Sequence, residues 1–294
     1  MSFTHLHVAS AFSGHYGVAR PELLAEAAAA DGATALAITD RGGLYGAVKH
    51  IGACLKLGIS PIVGVNLKVL SDDGGFLANC VILAHGHDGG LGWSALCKLV
   101  SSASRADKKQ ASVRLSELTQ LVNRDGFSVA TVLLGPDSDF GSAVLSGDRN
   151  TAAGILVQWR RALPERGSLA VEICNHLTEP GTAYSLTQAR RMLQLADNLG
   201  VPAVLTNAVR YLEPDDALTA DILDAARFLE PLGKFEPQPN AQAWLKSKTL
   251  MQLLAKEITE DTDRAKKLLA TTEQLAEACR LNPEKDCSWG KPKT

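Results

Sequence analysis

Several things are missing from this 294-residue sequence, and each absence narrows the reading. No run of about 18 consecutive apolar residues occurs, so no segment is expected to span a membrane as a helix. The six cysteines, Cys54, Cys80, Cys97, Cys174, Cys279 and Cys287, include no CxxC pair, which excludes a zinc ribbon and a thioredoxin-like redox pair. With no leader pattern at the start, they are expected to be reduced and mostly buried, in a cytoplasmic protein. Neither sign of charge dominates: 30 Lys and Arg stand against 32 Asp and Glu, for a formal net charge of −2. No global basic field marks a nucleic-acid binder. That argues against DNA being gripped by this chain alone, and leaves open its belonging to a larger DNA enzyme. Repeats and low-complexity tracts are absent too.

What is present is an ordinary globular balance, with 46% hydrophobic and 21% charged residues. The length suits one large α/β domain or two small ones, with a core that needs no staples. Strand and helix patterns alternate. Strands are expected at 3–9, 33–40, 60–70, 76–84, 127–135 and 168–174, with the last starting at 201. The two at 60–70 and 76–84 flank Asp72-Asp73-Gly74-Gly75 and read as a hairpin. Helices are expected from Pro21 to Gly32 and over 43–59, 88–104, 115–122, 139–146, 150–163 and 183–200. KKQASVR (108–114) reads as a polar, mobile connection. Beyond 212 the pattern is helical, with breaks near Pro231 to Pro239. About seven strands with crossover helices predict a barrel of β/α units, whose chemistry would sit at the C-terminal strand ends. The residues to inspect there are His7 to His15, Asp40-Arg41, Gly64 to Asn66, Asn79-Cys80, Glu172 and Asn207 to Arg210.

Several of these segments resemble one family. THLHVASAFSGHYG (4–17), ALAITDRGGLYGAVKHIGACLKLGISPIVGVNLKV (35–69), FSVATVLLGPDSDFGSAVLSGD (127–148) and LADNLGVPAVLTNAVRYLEPDD (195–216) are similar to the polymerase-and-histidinol-phosphatase (PHP) domain. The version matched is that of bacterial C-family polymerase III alpha subunits. The HLHVAS start and Arg41 resemble an actinobacterial error-prone or accessory paralogue. The resemblance implies a distorted (β/α)7 barrel with a helical C-terminal extension. A single domain is expected over 1–286, with a barrel core over about 3–230, a helical extension over 231–286 and a linker or tail at 287–294. Active members hold up to three divalent metals and hydrolyse phosphoesters, some as 3′–5′ exonucleases. Clustered His and carboxylates there hold cations ~3.5–4 Å apart that activate water.

The ligands the resemblance implies are largely replaced. His7 matches the first histidine, but Ala9 stands at the second. Tyr16 occupies an acid position, with His15 beside it. Asp-His becomes Asp40-Arg41, a bridging Glu becomes Asn66, a His becomes Asn79, and Asp-x-His becomes Ala208-Val209-Arg210. No ligand stands near Gly135 and Pro136. A remnant set of His5, His7, His15, Asp40 and Glu172 is left. Arginine keeps its proton and cannot ligate a metal, so Arg41 and Arg210 place positive charge where cations would sit.

The expectation is therefore a catalytically degenerate domain with no cofactor, acting as a scaffold for the rest of a polymerase chain and for other subunits, with weak or no DNA binding of its own. The alternatives are a metal-dependent phosphoesterase or exonuclease using Zn²⁺ or Mn²⁺/Mg²⁺ at the remnant residues, and a phosphate- or nucleotide-binding module on Arg41 and Arg210. His5 and His7, two apart on a strand, are expected on one face. Arg41 and Arg210 are expected to pair with Asp40 and Glu172. Asp137 or Ser138 in PDSDF reads as a helix N-cap rather than a polymerase carboxylate. His85-Gly86-His87 reads as a polar turn, and RADKK (105–109) as a short basic loop.

Overall fold

The computed structural model describes residues 2–106 and 111–290. Asp107, Lys108 and Lys109 of the basic loop, and residues 291–294 of the tail, lie outside the described residues.

In chain order the elements are α1 (Pro21–Ala30), β1 (Ala35–Ile38), α2 (Ala47–Leu57), β2 (Ser60–Leu70), β3 (Phe76–Ala84), α3 (Leu91–Ala106), β4 (Ser112–Arg114), α4 (Leu115–Val122), β5 (Asn123–Arg124), β6 (Phe127–Ser128), β7 (Ala130–Leu134), α5 (Asp139–Leu145), α6 (Arg149–Ala162), β8 (Leu169–Ile173), α7 (Leu186–Leu199), β9 (Ala203–Leu205), α8 (Ala217–Phe228), α9 (Lys248–Thr259), α10 (Thr262–Cys279) and α11 (Pro283–Asp286). Local chemistry sets several ends. Pro21 opens α1. The Ser185 hydroxyl accepts from the Gln188 amide to start α7, and Gly200 closes it with φ 65°.

The main sheet runs β1-β2-β3-β7-β8-β9, with β4 beside β2. Neighbours are parallel except β3, which is antiparallel to both β2 and β7. That one reversed strand is the expected hairpin, with Leu67 opposite Cys80.

The segment at 5–9 closes the ring. The Ala37 and Thr39 amides donate to the His5 and Val8 carbonyls at 3.0 and 2.8 Å. On its other side the Val209 amide donates to the His7 carbonyl, and the Ala9 amide to the Val209 carbonyl, both at 2.9 Å. Three residues of this segment span two of β1, so it does not form a regular ladder.

Two more expectations change. Ser112–Arg114, read as a mobile connection, forms β4, parallel to Lys68–Leu70. The single strand expected over 127–135 is two, because the Val129 amide turns aside to the Val122 carbonyl at 2.9 Å.

Leu6, Ala37, Ile62, Leu83, Leu133, Ala170 and Val204 form one buried cluster with Ala276 and Cys279 of α10. Every strand of the ring contributes, which places the cluster inside the barrel and α10 across its base. Cutting one of its leucines to alanine costs ~2–5 kcal/mol. The outward faces, including Ile38, Val63, Ile82, Val132 and Ile173, pack against helix residues such as Ile51, Leu96, Leu156 and Met192. The Thr4 amide donates to Glu273 of α10 at 2.7 Å, tying the closing segment to the base. With the base plugged, polar groups can gather only at the opposite end, where the strands run out. No described helix is long and apolar enough to cross a membrane.

Candidate functional site at the barrel mouth

His7 and Glu172 meet at the mouth, with Nδ1 2.7 Å from Oε1. The Thr206 hydroxyl donates to the same carboxylate oxygen at 2.6 Å. Burial alone would raise the Glu172 pKa, but the His7 ring, its hydrogen bond, Thr206 and His176 together hold it below the usual carboxylate range. The other ring nitrogen of His7, Nε2, lies 3.3 Å from Asn66 Nδ2. Both ring nitrogens of His7 are therefore engaged. Gly135 has a steric role. A Cβ at this position would stand 2.3 Å from Glu172 Oε2, so the carboxylate occupies the space that a ligand side chain at 135 would need.

The other remnant residues do not join this pair. Asp40 is buried and accepts from the Ser10 amide and hydroxyl (2.8 and 2.9 Å), the Ser13 hydroxyl (2.8 Å) and the Gly46 amide (3.2 Å). Burial raises its pKa against the pull of these donors. It clamps the loop after the closing segment. His5 does not share a face with His7. Its Nε2 donates to the Lys246 carbonyl at 2.8 Å, and it lines a separate cavity of about 190 Å³ with Asp31. Period-two alternation requires a regular ladder, and the three-for-two step beside β1 breaks it. His15 is exposed at φ 55° and cannot stand in for an acid at 16. Asn79 lies opposite Lys68, farther out along the hairpin than Asn66, which is opposite Val81.

The arginines also find other partners than expected. Arg210 Nη2 donates to Asp224 of α8 at 2.8 Å and to the Tyr16 carbonyl at 3.2 Å, not to Glu172. Arg41 pairs with no carboxylate among the described residues, Asp40 being saturated by the loop. Instead both guanidiniums lie over the Tyr16 ring, Arg41 at 3.3 Å and Arg210 at 4.0 Å from its centroid. Arg227 shares Asp224 at 2.6 Å and lies 5.5 Å from the same ring. Its pKa is lowered by burial, with Arg41 and Arg210 adding to the effect and Asp224 opposing it. The sequence pattern hides this cluster: the Asp224/Arg227 spacing is legible as a helical pair, but nothing local links it to Tyr16 or Arg210.

Tyr16, Arg41 and Arg210 line a cavity of about 760 Å³. The same cavity is lined by His176, stacked on Tyr184 at 4.8 Å between centroids, and the Tyr184 hydroxyl donates to Asp137 at 2.7 Å. Leu177, Tyr184 and Ala208, all lining the cavity, take positive φ of 56°, 62° and 39°. Such backbone is costly for non-glycine residues and concentrates at functional sites. Lys246 donates to Asn207 Oδ1 at 2.9 Å, and burial lowers it to about 8.

Ser138 caps α5, its hydroxyl accepting from the Gly141 amide at 3.0 Å, as the PDSDF reading expects. His85 of HGH spends both nitrogens on Ser128 and Thr131, at 3.0 and 2.8 Å.

The donors at the mouth do not fit the metal cluster that the family resemblance implies. His7 and Glu172 are turned on each other, and Asp40 on its loop. Among the described residues no group of three or more His, Cys, Asp or Glu is placed to hold a metal ion.

Comparison with known proteins now bears on ancestry. The sequence profile of the PHP domain matches residues 5–176. The chain is 28% identical to DNA polymerase III subunit alpha of Buchnera aphidicola (subsp. Acyrthosiphon pisum, strain APS), across 95% of this chain and 23% of that protein. The Escherichia coli K12 subunit gives 28% over the same shares. The error-prone DNA polymerase of Symbiobacterium thermophilum gives 29%, across 95% of this chain and 25% of that protein. The chain thus spans about a quarter of the length of these relatives. Among solved structures, an amidohydrolase from Chromobacterium violaceum aligns with TM-score 0.49 and 14% identity, over 71% of this chain and 88% of that one. A family profile covering more than half of the sequence decides the matter: the chain belongs to the PHP domain family.

Proposed function

We propose that this chain is the N-terminal PHP domain of a DNA polymerase III alpha-type protein, and that its barrel mouth is a structural element rather than a hydrolytic one. The domain then acts as a scaffold for the polymerase body and offers a surface to other subunits. One observation carries this reading: the histidine and the aspartate that remain of the expected ligand set are held by protein groups instead of facing a cation. His7 is held between Glu172 and Asn66. Asp40 accepts from Ser10 and Ser13 of the loop after the closing segment and from the Gly46 amide. The positions expected to complete a metal cluster carry Arg41, Asn66 and Arg210. A bridging carboxylate joins two cations through its charge, and an amide at 66 supplies none.

The test combines two measurements. After incubation with Zn²⁺ or Mn²⁺ and removal of excess ion, elemental analysis gives the bound metal. Hydrolysis of a chromogenic phosphoester and of labelled single-stranded DNA is then compared between the native chain and His7→Ala. The expected result is no stoichiometric metal and no hydrolysis above the His7→Ala background. Stoichiometric metal together with activity that disappears in His7→Ala would overturn the proposal in favour of a reduced-metal phosphoesterase or exonuclease.

A further inference from the structure

Helix α8 meets the mouth through Asp224, whose carboxylate holds Arg210 and Arg227. Away from the mouth it carries an exposed apolar stripe. Leu218, Ile222, Ala226 and Leu229 recur every three or four residues, so they lie along one side of the helix and its cap. Leu218 is 70% exposed, Ile222 45% and Leu229 90%, and Leu232 just beyond them is 61% exposed. Single exposed leucines are ordinary, but a contiguous run of them marks a contact surface. The stripe ends in ordered chain. The Glu230 amide donates to the Ala225 carbonyl at 2.9 Å and closes the helix. Phe228 stacks on Phe235 at 6.3 Å between centroids, and the Lys234 and Phe235 amides both donate to the Pro231 carbonyl, at 2.8 and 3.0 Å. Leu229 takes φ 56°, the left-handed cap position that glycine fills with least strain. A leucine there is strained, and with nine-tenths of its surface in water it gains little packing within this chain. A second molecule that buries the side chain would repay the strain.

We propose that this stripe docks an amphipathic helix of a partner chain, one whose apolar face is bordered by lysine and arginine. From Leu218 to Leu229 the stripe is about 16 Å long, which is about three helical turns. The side of a helix has no free backbone groups to which a strand could add, but the side-chain ridges of a second helix can pack between its own. Charge sets the borders. From 213 to 236 the chain carries seven carboxylates against two cations, Arg227 and Lys234, and Arg227 is engaged by Asp224. Asp215, one turn before Leu218, and Glu230, directly after Leu229, are both exposed. A second copy of this chain on the same face would set carboxylates against carboxylates, whereas a basic border on a different chain complements them. The docking face deepens the scaffold reading and rests on it for the existence of a partner chain.

Fluorescence anisotropy tests it with two labelled synthetic helical peptides that share one leucine face, the first flanked by Lys and Arg and the second by Glu. They are titrated with the native chain, Leu229→Gly and Leu218→Gln. Leu229→Gly is the informative variant, because glycine suits the left-handed cap and the chain keeps its fold, as its melting curve will show, while the docking side chain is gone. Leu218→Gln alters the other end of the stripe at an exposed position. The basic peptide is expected to bind the native chain saturably at about 100 µM or tighter, less tightly as salt is added, and about tenfold or more weakly to either variant. The acidic peptide is expected to bind the native chain at least about tenfold more weakly than the basic one. Absence of saturable binding by the basic peptide, equal binding of the two peptides, or binding unchanged in both variants overturns the proposal. Self-association of the native chain in sedimentation, abolished by Leu229→Gly, assigns the stripe to a second copy and overturns it as well. Metal content and hydrolysis judge the scaffold reading separately, so a failed docking face and a failed scaffold reading are told apart.

Discussion

Acid should unfold this domain earlier than its acidic residues alone would suggest. His5, His50 and His176 are each lowered from 6.5 to about 4, burial being the largest cause. Their rings donate to the carbonyls of Lys246, Leu36 and Asn207, and these bonds offset only part of that penalty. Each folded-state pKa lies below the unfolded one, so the unfolded chain binds the extra proton between about pH 6.5 and 4. The stabilisation is complete above that window and is lost as pH falls through it. At pH 5 each histidine costs about 2 kcal/mol, and the three together about 6 kcal/mol. That is comparable with the whole stability of a domain, ~5–15 kcal/mol. Other groups act lower down. Asp40 and Asp139 are raised from 3.8 by burial, so they recover stability as they protonate. Glu172 is lowered from 4.5, so its contribution is lost only below the others. The measurement is a series of urea midpoints from about pH 7 to pH 5, repeated on His50→Gln, whose amide still donates to Leu36 but does not titrate. About a third of the loss should vanish in the variant, roughly 2 kcal/mol at pH 5. A flat profile, or an unchanged slope in His50→Gln, refutes the reasoning.

Two further outcomes follow from the mouth. Asp224→Asn removes the one carboxylate shared by Arg210 and Arg227 and should cost ~3–5 kcal/mol in urea denaturation. Combining it with Arg210→Met should recover part of that loss, because the uncompensated buried charge goes too. Gly135→Ala forces a Cβ to 2.3 Å from Glu172 Oε2 and should cost on the order of 1–3 kcal/mol by overpacking; adding Glu172→Ala should abolish the extra penalty in a double-mutant cycle.

The barrel was legible because its strands are short apolar runs with helix punctuation between them. The hairpin at Asp72–Gly75 and the stops at Gly58 and Gly200 were legible for the same reason. The closing segment was legible as a strand, but its uneven step beside β1 was not, and that step separates His5 from His7. The pairing of His7 with Glu172 joins residues 165 apart in sequence and depends on which strand ends meet. The wrong partners for the arginines share this origin. Chemistry requires a buried guanidinium to have a counter-charge, but only the return of α8 over the mouth makes that counter-charge Asp224 instead of Glu172. Asp40 was expected as a remnant ligand or as a partner of Arg41, because its spacing from Ser10 and Ser13 says nothing of the loop folding back on it.

The ring of Tyr16 has a consequence for how such a domain changes over time. Arg41 and Arg210 both rest on it, and Arg210 holds its carbonyl as well. An acid at position 16 would take away the ring on which both guanidiniums rest and put a counter-charge beside them instead. Replacing Arg41 would uncover one contact of the ring, and replacing Arg210 would also free Asp224 and the Tyr16 carbonyl. Positions 16, 41 and 210 are therefore coupled through one ring, and a change at any of them is felt at the other two.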